Sequence, residues 1–206
     1  MITEIGKHKV KHGDLMGGIV DLMGDDRAYI FNCDPPWGAG NLKYWQTINT
    51  RMTNAPKRDI DFNSFMDKVF ELAVKYTTGF VIISYGVRWK EEVIHMGVRS
   101  GLKHLGMSRA LYRSGSELLP LDVHVFSKGN LELPHHYFKG IDNTSGYETV
   151  SRLIMPIAKP NQIILDPACG LGLTARAAIE SGMIFRGNEI NERRLQKTID
   201  LLKRDG

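Results

Sequence analysis

The stretch QIILDPACGLGLTARAAIESGMIFRGNE, residues 162–189, decides the fold. Its first five residues, 162–166, predict a buried strand, and a glycine-bearing turn follows directly. Residues 173–181 predict a helix that Gly182 stops, and residues 183–189 predict the next strand. A strand, a glycine turn, a helix and a second strand make up the βαβ unit of nucleotide-binding α/β domains. We therefore expect a ligand-binding unit in the last third of the chain.

The elements ahead of this unit also alternate between strand and helix. Buried strands are predicted at Ala28–Cys33 and at residues 80–85, with Gly79 breaking the chain before the second strand. Residues 107–112 and 123–126 predict two antiparallel strands. Apolar residues at helical spacing predict four further helices, at Phe62–Tyr76 and at residues 88–103, 147–157 and 191–204. The pattern predicts one α/β domain over residues 1–206, with a mixed, mostly parallel sheet flanked by helices.

Length and composition limit the function only loosely. A chain of 206 residues buries a sizeable core without disulfides, and its two cysteines, Cys33 and Cys169, lack metal-ligand spacing. The sequence shows no secretory signal and no membrane-length apolar run, so we expect a cytoplasmic protein without a membrane partner. The formal net charge of +4 permits a polyanionic partner but does not require one.

The turn Asp166-Pro167-Ala168-Cys169-Gly170-Leu171-Gly172 is the first candidate ligand site. Its two glycines let the backbone approach a ligand closely, and the helix that follows favours a polar ligand edge. The full dinucleotide fingerprint and the lysine of a phosphate-binding loop are both missing. Glu189 ends the next strand, where an acid can accept hydrogen bonds from ribose hydroxyls. The alternatives are that Asp166 only caps the turn and that Glu189 is only an exposed acid.

The tetrapeptide Asp34-Pro35-Pro36-Trp37 closes the first buried strand and is the second candidate site. Its prolines fix φ and donate no backbone hydrogen bonds, which predicts a stiff loop at the carboxyl edge of the sheet. The Asp34 carboxylate and the Pro35 carbonyl could accept both N–H bonds of an exocyclic amine and make its nitrogen more nucleophilic. Trp37 offers a flat face for a base that has left its helix. The loop therefore predicts chemistry on the amino group of a nucleic-acid base.

These motifs resemble a known family. Residues 34–37 resemble the DPP(Y/F/W) signature of N6-adenine and N4-cytosine methyltransferases, and residues 166–172 resemble their S-adenosylmethionine loop. The catalytic loop comes first here, a circularly permuted order similar to that of β-class DNA adenine methyltransferases and of messenger-RNA adenine methyltransferases. The resemblance implies a Rossmann-like S-adenosylmethionine-dependent methyltransferase fold, with Asp34, Pro35, Pro36 and Trp37 catalytic. It implies methylation of adenine N6 in DNA, in a restriction-modification setting; the alternatives are N4-cytosine, RNA adenine and a non-catalytic nucleic-acid-binding scaffold.

Two weaker motifs extend the resemblance. The Gly-Asp of residues 13–14 faces the adenine of the cofactor in the family, although Asp14 could also be a turn acid. Residues 143–145 match the stretch that grips the methionine carboxylate, and Ser145 with Glu148 also has the spacing of a capping box. The full set of implied cofactor residues is Asp14, Leu15, Asp34, Asn143, Thr144, Ser145, Asp166, Pro167, Ala168, Gly170, Gly172, Glu189 and Ile190.

Two further segments are candidates for contact with nucleic acid. Residues 38–58 are polar and glycine-bearing, and we expect a mobile loop that closes over the base and contacts phosphates. Residues 106–140 form a reduced target-recognition region, whose small size makes a homodimer or an accessory subunit plausible. No metal is expected at His135-His136. The predicted nucleic-acid contacts are Lys43, Tyr44, Trp45, Arg51, Lys57, Arg58, Arg109 and Arg113.

Overall fold

A computed structural model of the chain describes residues 1–53 and 59–205. Among these residues, strands pair into one eight-stranded sheet of order β1-β2-β8-β7-β3-β4-β6-β5. The strands are β1 (Ile2–Ile5), β2 (His8–His12), β3 (Ala28–Cys33), β4 (Thr77–Gly86), β5 (Lys103–Ser114), β6 (Glu117–Ser127), β7 (Ile163–Asp166) and β8 (Ile184–Glu189). The α-helices are α1 (Val20–Met23), α2 (Gly38–Thr53), α3 (Phe62–Tyr76), α4 (Lys90–Arg99), α5 (Tyr147–Ile154), α6 (Leu173–Glu180) and α7 (Glu192–Asp205).

The sheet is mixed and mostly parallel, which confirms the expected fold class. Neighbours among β2, β8, β7, β3 and β4 pair in parallel, so the carboxyl ends of these strands meet at one edge. The β5–β6 hairpin adds two strands beside β4, with β6 antiparallel to it. The β1–β2 hairpin, which the sequence did not predict, joins the sheet through β2 and β8 and pairs His12 with Glu189.

Helices cover both faces of the sheet. Successive side chains of a strand point to opposite faces, so Ile30 packs with Leu153 and Phe185 while Phe31 packs with Phe70 on the other side. Burial on both faces explains why the central strands are continuous apolar runs. The last helix, α7, packs beside β8 and also against β1 and β2. Within the described residues, no helix combines the length and the apolar character that a membrane span requires.

Several predicted bounds hold, and others shift for identifiable reasons. The bounds of β3 and α3 are those predicted. The segment predicted as one helix at residues 88–103 forms a 3-10 turn at Val87–Trp89 and then α4. The helix α4 ends at Arg99, earlier than predicted, because β5 begins at Lys103. The helix predicted at residues 147–157 ends as α5 and continues as a 3-10 turn at Met155–Ile157, since Pro156 cannot donate an α-helical hydrogen bond.

Three predictions are wrong. Residues 38–53 form the helix α2 rather than a mobile loop, and residues 54–58 lie outside the described residues. Ser145 does not form a capping box with Glu148: the N-cap of α5 is Gly146, at φ +56°, and Glu148 pairs with Arg152 instead. Gly79 does not break the chain but lies inside β4.

The position of Gly79 has a steric cause that a sequence does not display. A Cβ atom there would lie 2.3 Å from the backbone oxygen of Tyr29, which belongs to the paired strand β3. Two atoms of the Tyr29 ring would also lie within 3 Å of it. The backbone oxygen cannot move away without disturbing the pairing of the two strands. Glycine at this position therefore permits the close approach of β3 and β4.

We predict that Gly79→Ala lowers the free energy of unfolding by about 1–3 kcal/mol, the usual range for overpacking a well-packed site. Urea-induced unfolding followed by circular dichroism measures the change. The matched control is Gly40→Ala, whose added Cβ meets no atom within 4 Å. That variant is expected to be neutral or stabilising, and an equal loss in both variants would contradict the steric explanation.

Candidate active site

The carboxyl edge of the sheet brings four predicted acids into one row. Asp14 follows β2, Glu189 ends β8, Asp166 ends β7 and Asp34 follows β3, in the order in which these strands neighbour one another. Adjacent strands lie about 4.8 Å apart, so the row spans about 14 Å. Residues that are far apart in the sequence therefore form one elongated site.

The topological switch point of the sheet lies between the last two acids of this row, Asp166 and Asp34. From β3 the chain proceeds to β4 on one side, whereas from β7 it proceeds to β8 on the other side. The connections consequently diverge and leave a crevice between the ends of β3 and β7, where open α/β sheets bind ligands. Asp34 and Asp166 stand at the two sides of this crevice.

The loop of residues 34–37 is fixed by its own aromatic side chain. The Trp37 indole Nε1–H donates a hydrogen bond of 3.0 Å to Asp34 Oδ1. The Trp37 backbone N–H donates to Asn41 Oδ1, in the first turn of α2, at 3.1 Å. The half-buried Trp37 ring lies edge-on against Tyr112 of β5, with centroids 4.5 Å apart and an interplanar angle of 87°.

The Asp34 carboxyl reaches solvent at the mouth of the crevice but is surrounded by protein atoms. This surrounding desolvates the ionised form and raises its pKa to about 6, an effect that the hydrogen bond from Trp37 opposes. Above that pH the group is a carboxylate and a strong acceptor of hydrogen bonds.

A second aromatic group supports the loop from behind. Gly38 has a φ of +80°, and a Cβ atom there would lie 2.9 Å from the ring of Trp89. Trp89 in turn packs edge-on against Tyr85, with centroids 6.1 Å apart. Burial raises the pKa of Tyr85 to about 12, while a hydrogen bond with the Gly38 backbone opposes the rise. These contacts hold the turn between β3 and α2 in place.

The turn of residues 166–172 is joined to the strand β3 by a buried chain of hydrogen bonds. The Asn32 side-chain amide of β3 donates to Thr174 Oγ1 at 2.8 Å, and the Thr174 hydroxyl donates to Asp166 Oδ2 at 2.5 Å. The Ala168 backbone N–H donates to the other carboxylate oxygen at 3.1 Å. We call Asn32, Thr174 and Asp166 the buried relay; all three side chains are almost completely buried.

The charge state of Asp166 reflects its position in the crevice. Burial raises its pKa to about 7, the hydrogen bonds from Thr174 and Ala168 oppose the rise, and the charges of Glu189 and Asp34 add to it. The effect of the Asp34 charge on Asp166 is consistent with their places on either side of the crevice. The N-cap of α6 is Gly172, so Asp166 caps the turn rather than the helix.

Glu189 is buried rather than exposed, and it binds two backbone N–H groups. Its Oε2 accepts from Gly170 at 2.9 Å and its Oε1 accepts from Asn191 at 2.8 Å. The carboxylate thus holds the glycine turn against the start of α7. A carboxylate accepts about four hydrogen bonds, so a ligand hydroxyl could share these oxygens.

Three further predicted cofactor residues, Asp14, Leu15 and Ile190, follow the adjacent strands β2 and β8. Asp14 caps the 3-10 turn at Leu15–Gly17 by accepting from the Met16 N–H at 2.8 Å. The Asn188 amide donates to the carbonyls of Gly13 and Pro167, both at 3.0 Å, and so joins the Asp14 segment to the glycine turn. Leu15 is buried in the core, whereas Ile190 is partly exposed beyond Glu189.

Residues 143–145 pack beside β5. The Thr144 hydroxyl donates to the Ile141 carbonyl at 2.6 Å and shares a hydrogen bond of 2.9 Å with Thr149. Leu111 donates its N–H to the Thr144 carbonyl at 2.8 Å and forms a β-bridge with Ser145. Asn143 is exposed at φ +66°. Their role in holding a cofactor stays a prediction.

The predicted nucleic-acid contacts fall on two elements near the site. Lys43, Tyr44 and Arg51 are exposed on α2, and Trp45 on the same helix packs under the Arg194 guanidinium at 4.3 Å. On the β5–β6 hairpin, Arg113 is exposed, whereas Arg109 forms an ion pair of 3.0 Å with the buried Asp122. Lys57 and Arg58 lie outside the described residues.

Sequence reasoning missed the residues that support the catalytic loop. They are Tyr85, Trp89, Tyr112 and the relay members Asn32 and Thr174. A signal was available for Asn32, a polar residue inside an otherwise apolar buried strand. For Tyr112 there was none, because only the pairing of β5 and β6 brings it to the loop.

No protein-family model and no curated protein matches the chain. Solved structures do match it. M1.HpyAVI aligns at TM-score 0.68 with 14% identity, covering 94% of this chain and 97% of that one. TTHA0409 of Thermus thermophilus, a proposed DNA modification methylase, aligns at 0.68 with 16% identity over 96% and 95%. The cytosine-N4-specific PvuII DNA methyltransferase aligns at 0.67 with 11% identity over 95% and 89%.

These likenesses establish the class of fold. The chain has the mixed α/β fold of these methyltransferases, an eight-stranded, mostly parallel sheet flanked by helices. Identities of 11–16% carry the argument no further than the fold. The permuted motif order and the single-domain organisation stay predictions.

We predict that Thr174→Val destabilises the protein by about 1–3 kcal/mol, because it leaves the Asn32 amide and an Asp166 oxygen buried without their partner. Thr174→Ser keeps the hydroxyl and is the matched control, expected to lose much less. Thermal and urea unfolding measure both variants. Equal losses would show that the methyl group, not the hydrogen bond, is responsible.

Proposed function

We propose that this chain transfers a methyl group from S-adenosylmethionine to the exocyclic N6 amine of adenine in DNA. The observation that carries the proposal is the meeting of two loops at the switch point. Asp34 and Trp37 stand on one side of the crevice and the Asp166 turn on the other, because β3 and β7 are paired neighbours. The charge of Asp34 contributes to the raised pKa of Asp166. An amine-activating loop beside a ribose-binding turn fits methyl transfer to a base.

The residues present fit S-adenosylmethionine as the cofactor. The row from Asp14 to Asp34 is elongated, and burial raises the pKa of both Asp34 and Asp166. A positively charged ligand between them would stabilise their ionised forms. Glu189 would take the ribose, and the Asp14 segment the adenine. Two of the similar structures were solved with S-adenosylmethionine, M1.HpyAVI and TTHA0409.

When bound, the cofactor supplies an electrophilic methyl group on a sulfonium sulfur. The part of the chain is to prepare the amine that attacks it. Asp34 and the Pro35 carbonyl accept its two N–H bonds, which localises the nitrogen lone pair and aims it across the crevice. As the bond between the amine nitrogen and the methyl carbon formed, the bond from that carbon to the sulfonium sulfur would break and a neutral thioether would leave. The amine would become cationic, and the Asp34 carboxylate would stabilise that charge and receive the proton.

Trp37 would hold the target base. Its half-buried ring sits at the mouth of the crevice, held by Asp34 and Tyr112, and offers a face on which an extruded base can stack. Exposed Lys43, Arg51 and Arg113 near the mouth would contact phosphates.

N4-cytosine is the second candidate substrate. The amine chemistry is the same, and the similar PvuII enzyme is cytosine-N4-specific. The choice of adenine rests on the resemblance of residues 34–37 to the adenine-type signature. RNA adenine and a non-catalytic scaffold remain alternative outcomes of the test.

The deciding experiment incubates the protein with methyl-labelled S-adenosylmethionine and, separately, with unmethylated DNA and RNA. Mass spectrometry of the nucleosides then identifies the product. N6-methyladenine in DNA is the expected result. N4-methylcytosine or methylated RNA would select the corresponding alternative, and no methylated base on either polymer would favour the scaffold.

We expect Asp34→Ala to reduce methyl transfer at least about a hundredfold, because general acid–base and electrostatic contributions of one group are of that size. Cofactor binding, measured by calorimetry, should persist, since the Asp166 turn is unchanged. Asp67→Ala, an exposed acid on α3 paired with Arg99, is the control and should retain full activity. Wild-type turnover by Asp34→Ala would refute the mechanism.

A pH dependence follows from the raised pKa values. Asp34 acts as a carboxylate, so activity is present above its pKa and is lost as pH falls through it. Because kcat/KM for the cofactor reports the free protein, it should fall on the acid side through the region of pH 6 to 7, where Asp34 and Asp166 titrate. A profile that is flat down to about pH 5 would contradict the assignment of these groups.

A further inference from the structure

We propose that Tyr112 is a positioning residue, which orients the Trp37 ring and, through its indole N–H, the Asp34 carboxylate. The inference rests on the proposed function and extends it. It makes the β5–β6 hairpin, rather than the catalytic loop alone, responsible for the geometry of the amine-activating group.

The contacts of Trp37 divide into two kinds. Its backbone is fixed, because the backbone N–H donates to Asn41. The Trp37 Cβ atom also lies close to Gly86, since a Cβ atom added at Gly86 would be 3.4 Å from it. The ring is not fixed by these backbone contacts, because it can still rotate about its side-chain torsions. Trp37 packs against buried residues on both sides of the sheet. Two further contacts have a defined direction, the hydrogen bond to Asp34 Oδ1 at 3.0 Å and the edge-on packing against Tyr112 at 4.5 Å.

These two restraints depend on each other. An edge-on aromatic pair has a preferred angle, and the observed 87° sets the plane of the indole. The direction of the indole N–H is part of that plane, so the Tyr112 contact also sets where the hydrogen bond points. Loss of the Tyr112 ring would remove the contact that sets the angle of the indole, and its N–H would be left to bond a solvent-accessible carboxyl.

The position of Tyr112 links it to the substrate side of the molecule. The hairpin runs past the end of β4, since Gly86 is opposite Leu121 and the hairpin pairs onward to Ser114 and Glu117. Tyr112 lies in this projecting part, opposite Leu119, and the next residue, Arg113, is exposed. The bridge between Leu111 and Ser145 braces the same part. A nucleic acid that contacts the hairpin would therefore act on Trp37 and Asp34 through one aromatic contact.

The titration of Asp34 offers a readout that does not require turnover. The groups that face it are the Trp37 indole from its own loop, Tyr112 behind that indole, Asp166 from β7 and the neighbouring Cys33. Because the indole N–H stabilises the ionised carboxyl, its loss should raise the pKa of Asp34. The indole resonance of Trp37 should itself shift as the carboxyl titrates.

The test compares the indole 15N–1H resonances of the chain, which has three tryptophans, across a pH titration. Trp37→Phe assigns the Trp37 signal, and Asp34→Asn should abolish its titration. The wild type and Tyr112→Phe are expected to titrate alike, whereas Tyr112→Ala should lose the titration of the Trp37 signal. A wild-type titration in Tyr112→Ala would overturn the proposal, whether or not the protein methylates DNA.

Activity provides the second readout. Tyr112→Ala should lower kcat by about ten- to a hundredfold, the effect of a small misplacement of a reacting group, and should move the acid limb of the profile to higher pH. Tyr112→Phe should behave as wild type. The control Tyr29→Ala removes a tyrosine that packs edge-on against Phe80 at 5.7 Å, at the amino end of β3.

Tyr29→Ala should keep the wild-type acid limb even if it loses stability. A Tyr112→Ala variant that loses only stability or affinity, with an unchanged limb, would reduce Tyr112 to a structural role and refute the proposal. If no variant and no wild type shows turnover, the proposed function fails, and the resonance titration still decides the role of Tyr112.

Discussion

The buried relay from Asn32 through Thr174 to Asp166 is the interaction on which the geometry of the site depends. The Asp166 carboxyl is buried at the end of β7 and therefore has to be hydrogen-bonded. The Thr174 hydroxyl that donates to it belongs to α6, and the Asn32 amide that donates to that hydroxyl belongs to β3. One chain of two hydrogen bonds therefore joins β3 to the glycine turn. It fixes the width of the crevice at the switch point, and with it the separation of Asp34 from any ligand of the Asp166 turn.

The sequence predicted those parts of the structure that local pattern controls. The strand β3, the helix α3 and the βαβ unit of residues 162–189 follow from apolar periodicity and glycine placement, and parallel pairing then brings Asp34, Asp166 and Glu189 to one edge. Tyr112 and Trp89 were beyond prediction, since each reaches the loop through the pairing of strands remote in sequence. The helix α2 was misjudged because its stripe of apolar residues is weak. Contacts from other elements stabilise it, such as Asn191 on Asn49 and Arg194 on Trp45.

Tryptophan in the fourth position of the loop has a consequence that tyrosine or phenylalanine would not have. Of these three side chains, only tryptophan has an N–H group in its ring system. Here that N–H donates to the carboxyl of Asp34, three residues earlier. The same side chain thus provides a stacking face and a hydrogen-bond donor. The loop of residues 34–37 is stiffened twice, by the φ restriction of its prolines and by the hydrogen bond from Trp37 to its first residue, Asp34.

The packing of α7 against β1 and β2 bears on the order in which a chain can connect the elements of this fold. The earliest strands and the latest helix of the described chain are neighbours at one end of the sheet, beside β8. A connection made there and a cut made elsewhere would preserve every strand pairing and the row of acids at the carboxyl edge. The order of the two loops along the sequence is therefore independent of their arrangement in the fold. The chemistry of the crevice does not require one order or the other.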